Sequence, residues 1–349
     1  MPKELLTHSR MQAFKLCRKK HQWSYIHGLR KEVDAKALRM GSAGHEGLDA
    51  LKKSGGDAEA AVHAVEKMYA KRPEAIPEYD WLIEAETVSC LVAAYAWRWQ
   101  DQPLEIVSSE ESFNIPLKNP ATGASSRNWN LGGKIDGIVQ DGNRKLVLEH
   151  KFISDDLDPN SDYWRRLIID SQITIYTHAS RELGYDTTGV LYDLIRKPTI
   201  RPSQVPVLDP DGLKIVLDSD GERVMLSTTH NKPRLTGDKA KGFTLQTRPM
   251  NVDEWSSKLM CDIELRPDWY FQRREVARLD DDIAEMQREV WEIQKTITDA
   301  TNKDAHYKTV NLGSCSYCEF FGLCSSHVQY DGRPMEGFVQ LENVHPELG

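Results

Sequence analysis

No apolar run in this chain of 349 residues approaches the ~20 residues that a helix needs to cross a bilayer. The N-terminus also lacks the apolar stretch of a signal peptide. Both absences lead to the expectation of a cytoplasmic protein, in a reducing setting where thiolates survive best. There is no GxxxxGK[ST] loop, so no ATP motor is visible, and no HExxH pair of a zinc protease. No short period marks a repeat array. An excess of positive charge is missing too: the formal net charge is -8. What is present is 40% hydrophobic and 28% charged, a globular composition rather than a disordered one. The length allows a large core, with room for one appended lobe.

The most telling residues are Asp136, in Gly-Gly-Lys-Ile-Asp-Gly-Ile-Val, and Glu149-His150-Lys151, in Leu-Val-Leu-Glu-His-Lys. Ile135, Val139, Leu146 and Leu148 alternate as in half-buried strands, and Asp141-Gly142-Asn143 between them signals a hairpin turn. A hairpin would bring Asp136 and Glu149 side by side. Their like charges would resist ionising together unless a cation lay between them. Mg²⁺ or Mn²⁺ suits, since both prefer oxygen ligands. The plainer reading of the same residues is a surface hairpin with solvated acids.

His45 stands in Met40-Gly41-Ser42-Ala43-Gly44-His45-Glu46, read as the start of a helix, and Gln172 and Tyr176 stand four apart, on one helix face. The ordered set His45, Asp136, Glu149-x-Lys151, Gln172-x-x-x-Tyr176 resembles the PD-(D/E)XK nuclease superfamily, in its RecB-like and Cas4-like branch. The resemblance implies a restriction-endonuclease-like α/β core, a mixed central sheet flanked by helices. It implies metal ligation by Asp136, Glu149, His45 and the backbone carbonyl of His150. Lys151 would stabilise charge on the phosphate or orient water, Gln172 would hold Lys151 or the metal-bound water, and Tyr176 would brace this face or touch substrate. The implied activity is a metal-dependent DNA exonuclease acting at ends, single-stranded ones above all, in phage or bacterial recombination and repair, alongside a helicase or recombination partner. A nuclease acting on RNA, a Cas4-type nuclease of CRISPR adaptation and a binding or assembly subunit that keeps the fold are the alternatives.

Cys315, Cys318 and Cys324 form a C-x2-C-x5-C run, close enough in sequence to converge on one centre. In the iron–sulfur members of the branch that the chain resembles, one N-terminal cysteine joins three C-terminal ones on a [4Fe–4S] cluster; Cys17 occupies that place here. Four thiolates are the usual ligand set of such a cluster. A local zinc site from Cys315, Cys318, Cys324 and His327 is the competing reading, and unligated buried thiols the third. A link from residue 17 to residues 315–324 would close nearly the whole chain into a loop, a structural role. Cys90 and Cys261 read as core.

Charge is uneven along the chain. Residues 1–40 hold ten Lys or Arg against three acids. Lys15, Arg18, Lys19 and Lys20, interleaved with Trp23 and Tyr25, suit phosphate contact and base stacking, or else form a solvated helix face. Trp164, Arg165 and Arg166 are a second candidate contact. The expected organisation is a helical region over 1–105, capped first at Ser9 and stopped at Gly28, then a nuclease core over 106–200. An insertion over 201–250 follows, with a hairpin near Asp218-Ser219-Asp220-Gly221 and basic residues Arg234, Lys239 and Lys241. The last part, 251–349, carries a long helix and the cysteine cluster. Val276, Leu279, Ile283, Met286, Val290, Ile293 and Ile297 make an a/d seam, read as one long helix packed on its own domain, with a helical hairpin or an oligomer through 276–297 as the alternatives.

Overall fold

The computed structural model describes residues 3–212, 214–218, 220–224, 244–327, 330–333 and 335–348. The described strands, in chain order, are β1 (Glu4–Leu6), β2 (Leu29–Lys31), β3 (Glu105–Lys118), β4 (Ser125–Asp141), β5 (Arg144–Ile153), β6 (Thr187–Arg196), β7 (Gln204–Pro206), β8 (Val216–Leu217), β9 (Arg223–Val224), β10 (Thr244–Leu245), β11 (Thr247–Pro249), β12 (Phe271–Ala277) and β13 (Phe338–Gln340). The helices are α1 (His8–Leu16), α2 (Arg18–His21), α3 (Lys36–Lys53), α4 (Ala58–Met68), α5 (Glu78–Trp99), α6 (Asp162–Leu167), α7 (Ser171–Glu182), α8 (Val252–Leu265), α9 (Pro267–Tyr270), α10 (Asp280–Asn302), α11 (Leu312–Cys315) and α12 (Phe321–Ser325), with a wide turn at Gln22–Ile26 and a tight one at Pro346–Leu348.

The hairpin read from the sequence is the spine of the fold. β4 and β5 pair antiparallel, with Asp141 opposite Arg144 and Gly137 opposite Leu148. Gly142 turns the chain at φ +58°, a conformation that costs glycine little. β3 pairs antiparallel with β4, and β6 pairs parallel with β5. The parallel step needs a crossover, which α6 and α7 supply. The main sheet runs β1-β4-β5-β6-β12, with β3 also on β4, so it is mixed.

Helices cover both faces. One core joins Ile135, Val147, Val190, Tyr192 and Leu194 of the sheet to Phe14 of α1, Ile173 and Tyr176 of α7, and Met286, Val290 and Ile297 of α10. The other joins Ile195 and Phe271 to Leu48 of α3, Val65 of α4, Leu91 and Val92 of α5, and Trp255 and Leu259 of α8. This is the expected α/β core with a mixed sheet between helical layers.

Several expectations change in detail. The first helix is capped by Thr7, whose Oγ1 accepts from Arg10 N at 3.2 Å, and not by Ser9. Gly28 does end the helical run, at φ +68°, but β1 and β2 interrupt the helical region. Each is three residues long, too short to show a period, and each exists through long-range pairing, β1 with β4 and β2 with β13. The seam begins later than its spacing suggests. Val276 lies in β12 beside Val190, and Leu279 precedes α10 and is 67% exposed. From Ile283 onward the seam packs in the protein's own core, with Ile293 partly buried against it. Cys90 is buried as expected, whereas Cys261 sits on the outer face of α8 and is exposed. Ser219, Arg234, Lys239 and Lys241 lie outside the described residues.

Gly44 explains how α3 approaches the sheet. A Cβ there would lie 2.2 Å from Cζ of Phe152 on β5, so only glycine lets the helix cross at this distance. Gly44→Ala should destabilise the protein by roughly 1–3 kcal/mol, the usual range for overpacking, measured by denaturant unfolding. Unchanged stability would show that Phe152 gives way freely and that the glycine is not required.

Candidate active site

The register that makes the hairpin also makes the site. Continuing the β4–β5 ladder beyond Gly137 and Leu148 brings Asp136 to Glu149. Alternation then separates the neighbours on β5. Glu149 and Lys151 face α7, whereas His150 and Phe152 face α3. His45 lies in the middle of α3, not at its start; the helix continues through Gly41, Gly44 and Gly47 because packing outweighs their weak propensity.

All six residues of the ordered set line one cleft of about 470 Å³: His45, Asp136, Glu149, Lys151, Gln172 and Tyr176. Asp136 Oδ2 accepts from the backbone N–H of His150 at 2.8 Å, and Oδ1 lies 3.5 Å from His45 Nδ1. Lys151 Nζ lies 2.5 Å from Glu149 Oε1 and donates to Gln172 Oε1 at 2.9 Å. Gln172 Nε2 donates in turn to the Tyr176 hydroxyl at 3.1 Å. Helical spacing thus turns Gln172 and Tyr176 into a brace for the lysine.

The electrostatics follow from these contacts. Burial pushes the Glu149 carboxyl up, Lys151 opposes it and Asp136 adds to it, leaving the group at about 7. Asp136 goes the other way: despite burial, His45 and the hydrogen bond from His150 hold it well below the usual carboxylate range. His45 and Lys151 are each disfavoured as cations by burial, but Asp136 and Glu149 respectively lift them above their ordinary values. Glu149 Oε2 is buried and has no hydrogen-bond partner. A buried carboxylate oxygen without a partner is costly, and a hard cation is a fitting partner for it. Among the described residues no three His, Cys, Asp or Glu side chains converge into a ready-made metal site.

Some site residues escaped the sequence reading. Lys52 donates from Nζ to the Asp136 carbonyl at 2.8 Å; it stands two turns after His45, a spacing that could have revealed it. Glu110 also lines the cleft. It falls opposite Asp136 in the β3–β4 register, at φ +54°, and pairs with Lys134. Only the register could have found it. The turn Pro346–Leu348 forms part of the wall, with Glu347 Oε1 accepting from Thr7 Oγ1 at 2.7 Å.

The basic candidates lie elsewhere. Trp23 and Tyr25 are buried, so neither ring is free to stack on a base. Lys20 pairs with Glu319 and Lys15 with Glu289, Lys19 bonds Gln22, and Arg18 lies over Phe14 and Tyr307. Arg165 and Arg166 are exposed and pair with Asp162 and Asp155, and Trp164 is buried. None of these lines the cleft.

Cys17, Cys315, Cys318 and Cys324 line one cavity of about 450 Å³, walled by Leu16, Trp23, Val310 and Phe320. His327 is not among its lining residues. Backbone amides point at two sulfurs: Thr309 N donates to Cys17 Sγ at 3.4 Å and Asn311 N to Cys315 Sγ at 3.5 Å.

A sequence model of the PD-(D/E)XK nuclease superfamily matches residues 5–325. The chain belongs to the PD-(D/E)XK nuclease superfamily. No curated protein matches it. Membership makes it a nuclease of a metal-dependent superfamily, and the matched span runs from β1 through Cys324, taking in every lining residue of the cleft except Pro346, Glu347 and Leu348.

The shifts set a pH dependence for the metal-free protein. Glu149 holds its proton more tightly folded than unfolded, since its value rises from 4.5 to about 7. Its contribution to stability is therefore complete below the lower value and is lost as pH rises through the higher one. The raised His45 works in the same sense. Thermal unfolding in EDTA should show stability falling between about pH 5 and 7 from this source, and Glu149→Gln should flatten that fall. An identical profile in the variant would contradict the assignment.

Proposed function

We propose that the protein is an exonuclease that hydrolyses phosphodiester bonds at DNA ends with Mg²⁺ or Mn²⁺. The observation that carries this reading is the joint placement of Asp136, Glu149 and Lys151 in one cleft, with Glu149 Oε2 buried and unpartnered. Asp136 and Glu149 would hold the cation, with His45 and the carbonyl of His150 as further ligands. A cation there supplies Lewis acidity towards water and a phosphate oxygen. Lys151 meets the charge that builds on the phosphate during attack. Gln172 and Tyr176 keep its ammonium in the cleft, and Lys52 steadies the strand by holding the Asp136 carbonyl.

Support for end-directed cleavage comes from the wall at Pro346–Leu348. Glu347 is penalised by burial, yet His345 and Thr7 hold it below the usual carboxylate range. A fixed negative charge beside the cleft opposes a phosphate chain continuing past it.

The cysteine cavity supports a [4Fe–4S] cluster on Cys17, Cys315, Cys318 and Cys324 better than a zinc site using His327, since Cys17 lines the cavity and His327 does not. Amide hydrogen bonds to sulfur are among the features that tune such clusters. The cluster would tie the segment after α1 to the chain's last third. Biologically, recombination or repair is the setting most in keeping with this architecture.

The direct test is cleavage of end-labelled linear and circular single strands by anaerobically purified protein, with Mg²⁺, Mn²⁺ or EDTA. Metal-dependent loss of linear strands with circles spared is expected; circles cut equally would make the enzyme an endonuclease. Lys151→Ala should lower the rate by at least about 100-fold, as for removal of one transition-state donor, while circular dichroism and unfolding stay near wild type. Full activity would refute the role of Lys151. Cys17→Ser should lose most of the iron and lower the melting temperature. Full iron content would exclude Cys17 as a ligand.

A further inference from the structure

A second cavity opens beside the cleft. It measures about 760 Å³ and is lined by Lys36, Tyr79, Lys197, Ile200, Arg201 and Pro202, among others. Ala37 lines both this cavity and the cleft. The two therefore meet at the first turn of α3, where Lys197 Nζ donates to the Ala37 carbonyl at 3.1 Å. Lys197 directly follows β6, whose last residue, Arg196, pairs with Ile153, two positions after Lys151 on β5. The sheet thus carries the path from the site to this cavity.

The charges there are unusual for a chain with a net charge of -8. Elsewhere many of the cations are tied to carboxylates. Among the described residues, Lys36, Lys197 and Arg201 have no ion-pair partner, and Lys36 and Arg201 are exposed. Asp80 is the acid on the lining. Burial holds Lys197 below its ordinary value; Glu84 opposes this and the like charge of Lys36 adds to it. A phosphodiester between the lysines would relieve that repulsion. The remaining wall mixes apolar and aromatic side chains with the uncharged Thr87, Ser154, Ser203 and Gln204, and Tyr79 is 37% exposed. A positive groove with an aromatic platform is how single strands are held without sequence readout, whereas a duplex keeps its base faces stacked inside.

We propose that Lys36, Lys197 and Arg201 form the track along which a single polynucleotide strand runs from the cleft, with Tyr79 as a stacking surface. This rests on the nuclease reading of the cleft and deepens it by naming the substrate as single-stranded beyond the scissile bond. α3 joins the two: its middle carries His45 to the metal site and its first turn carries Lys36 to the strand.

The test is binding of a labelled single-stranded oligonucleotide of about 20 nucleotides in EDTA, across a salt series, by fluorescence anisotropy. The Lys36→Ala/Arg201→Ala variant changes only exposed side chains. It should bind about tenfold more weakly, with a salt slope shallower by about 1.4, since each lost phosphate contact removes about 0.7 on single strands. Lys197→Ala and Tyr79→Ala should each weaken binding as well, Tyr79→Ala without changing the salt slope. Cleavage of linear strands by wild-type protein is measured in parallel. Wild-type cleavage with affinity and slope unchanged in the double variant would overturn the track alone. Absence of both cleavage and binding in wild type would overturn the nuclease reading and the track with it.

Discussion

Two carboxylates held beside each other in a buried cleft set the terms for the rest of this structure. Asp136 and Glu149 are brought together by the hairpin register and cannot both be charged cheaply in isolation. The protein answers Asp136 with His45 and the His150 amide. It answers half of Glu149 with Lys151 and leaves Oε2 open. The asymmetry is functional in form. One acid is held well below the usual carboxylate range, and burial with its neighbours raises the other to about 7.

The surrounding architecture fixes that arrangement. α7 braces Lys151 from one face through Gln172 and Tyr176, and α3 delivers His45 and Lys52 from the other, brought close because Gly44 has no Cβ to strike Phe152. Behind the site, the buried Asp193 on β6 accepts from Tyr95 and from Arg273 Nε, and lies 3.9 Å from His150 Nε2. These hydrogen bonds tie β6 to α5 and β12 directly behind the strand that presents Glu149 and Lys151.

The core of the site was legible because its determinants are local. Alternating apolar residues and one turn glycine suffice to pair Asp136 with Glu149, and a four-residue spacing suffices to pair Gln172 with Tyr176. What was not legible depends on distant partners. β1 and β2 are defined by their pairing with β4 and β13 and have no pattern of their own. Glu110 and Glu347 enter the cleft through register and through a turn more than 190 residues beyond the hairpin. The aromatics interleaved with the basic run at Lys15–Lys20 have core roles that the run does not reveal: Trp23 packs on Phe320, and Tyr25 lies against His21 and His345. The heptad spacing from Val276 misled in its first two members because apolar spacing does not distinguish a strand residue and a helix-flanking residue from a helical turn.

The central claim is that the open side of Glu149 is a cation site. Calorimetric titration of the protein with Mn²⁺ in two buffers of different ionisation enthalpy, at about pH 6.5, tests it most directly, because a cation binding there must displace the Glu149 proton. The account predicts saturable binding with proton release in wild type, and loss of both in Glu149→Gln. Wild-type binding without proton release, or equal binding by the variant, would contradict it.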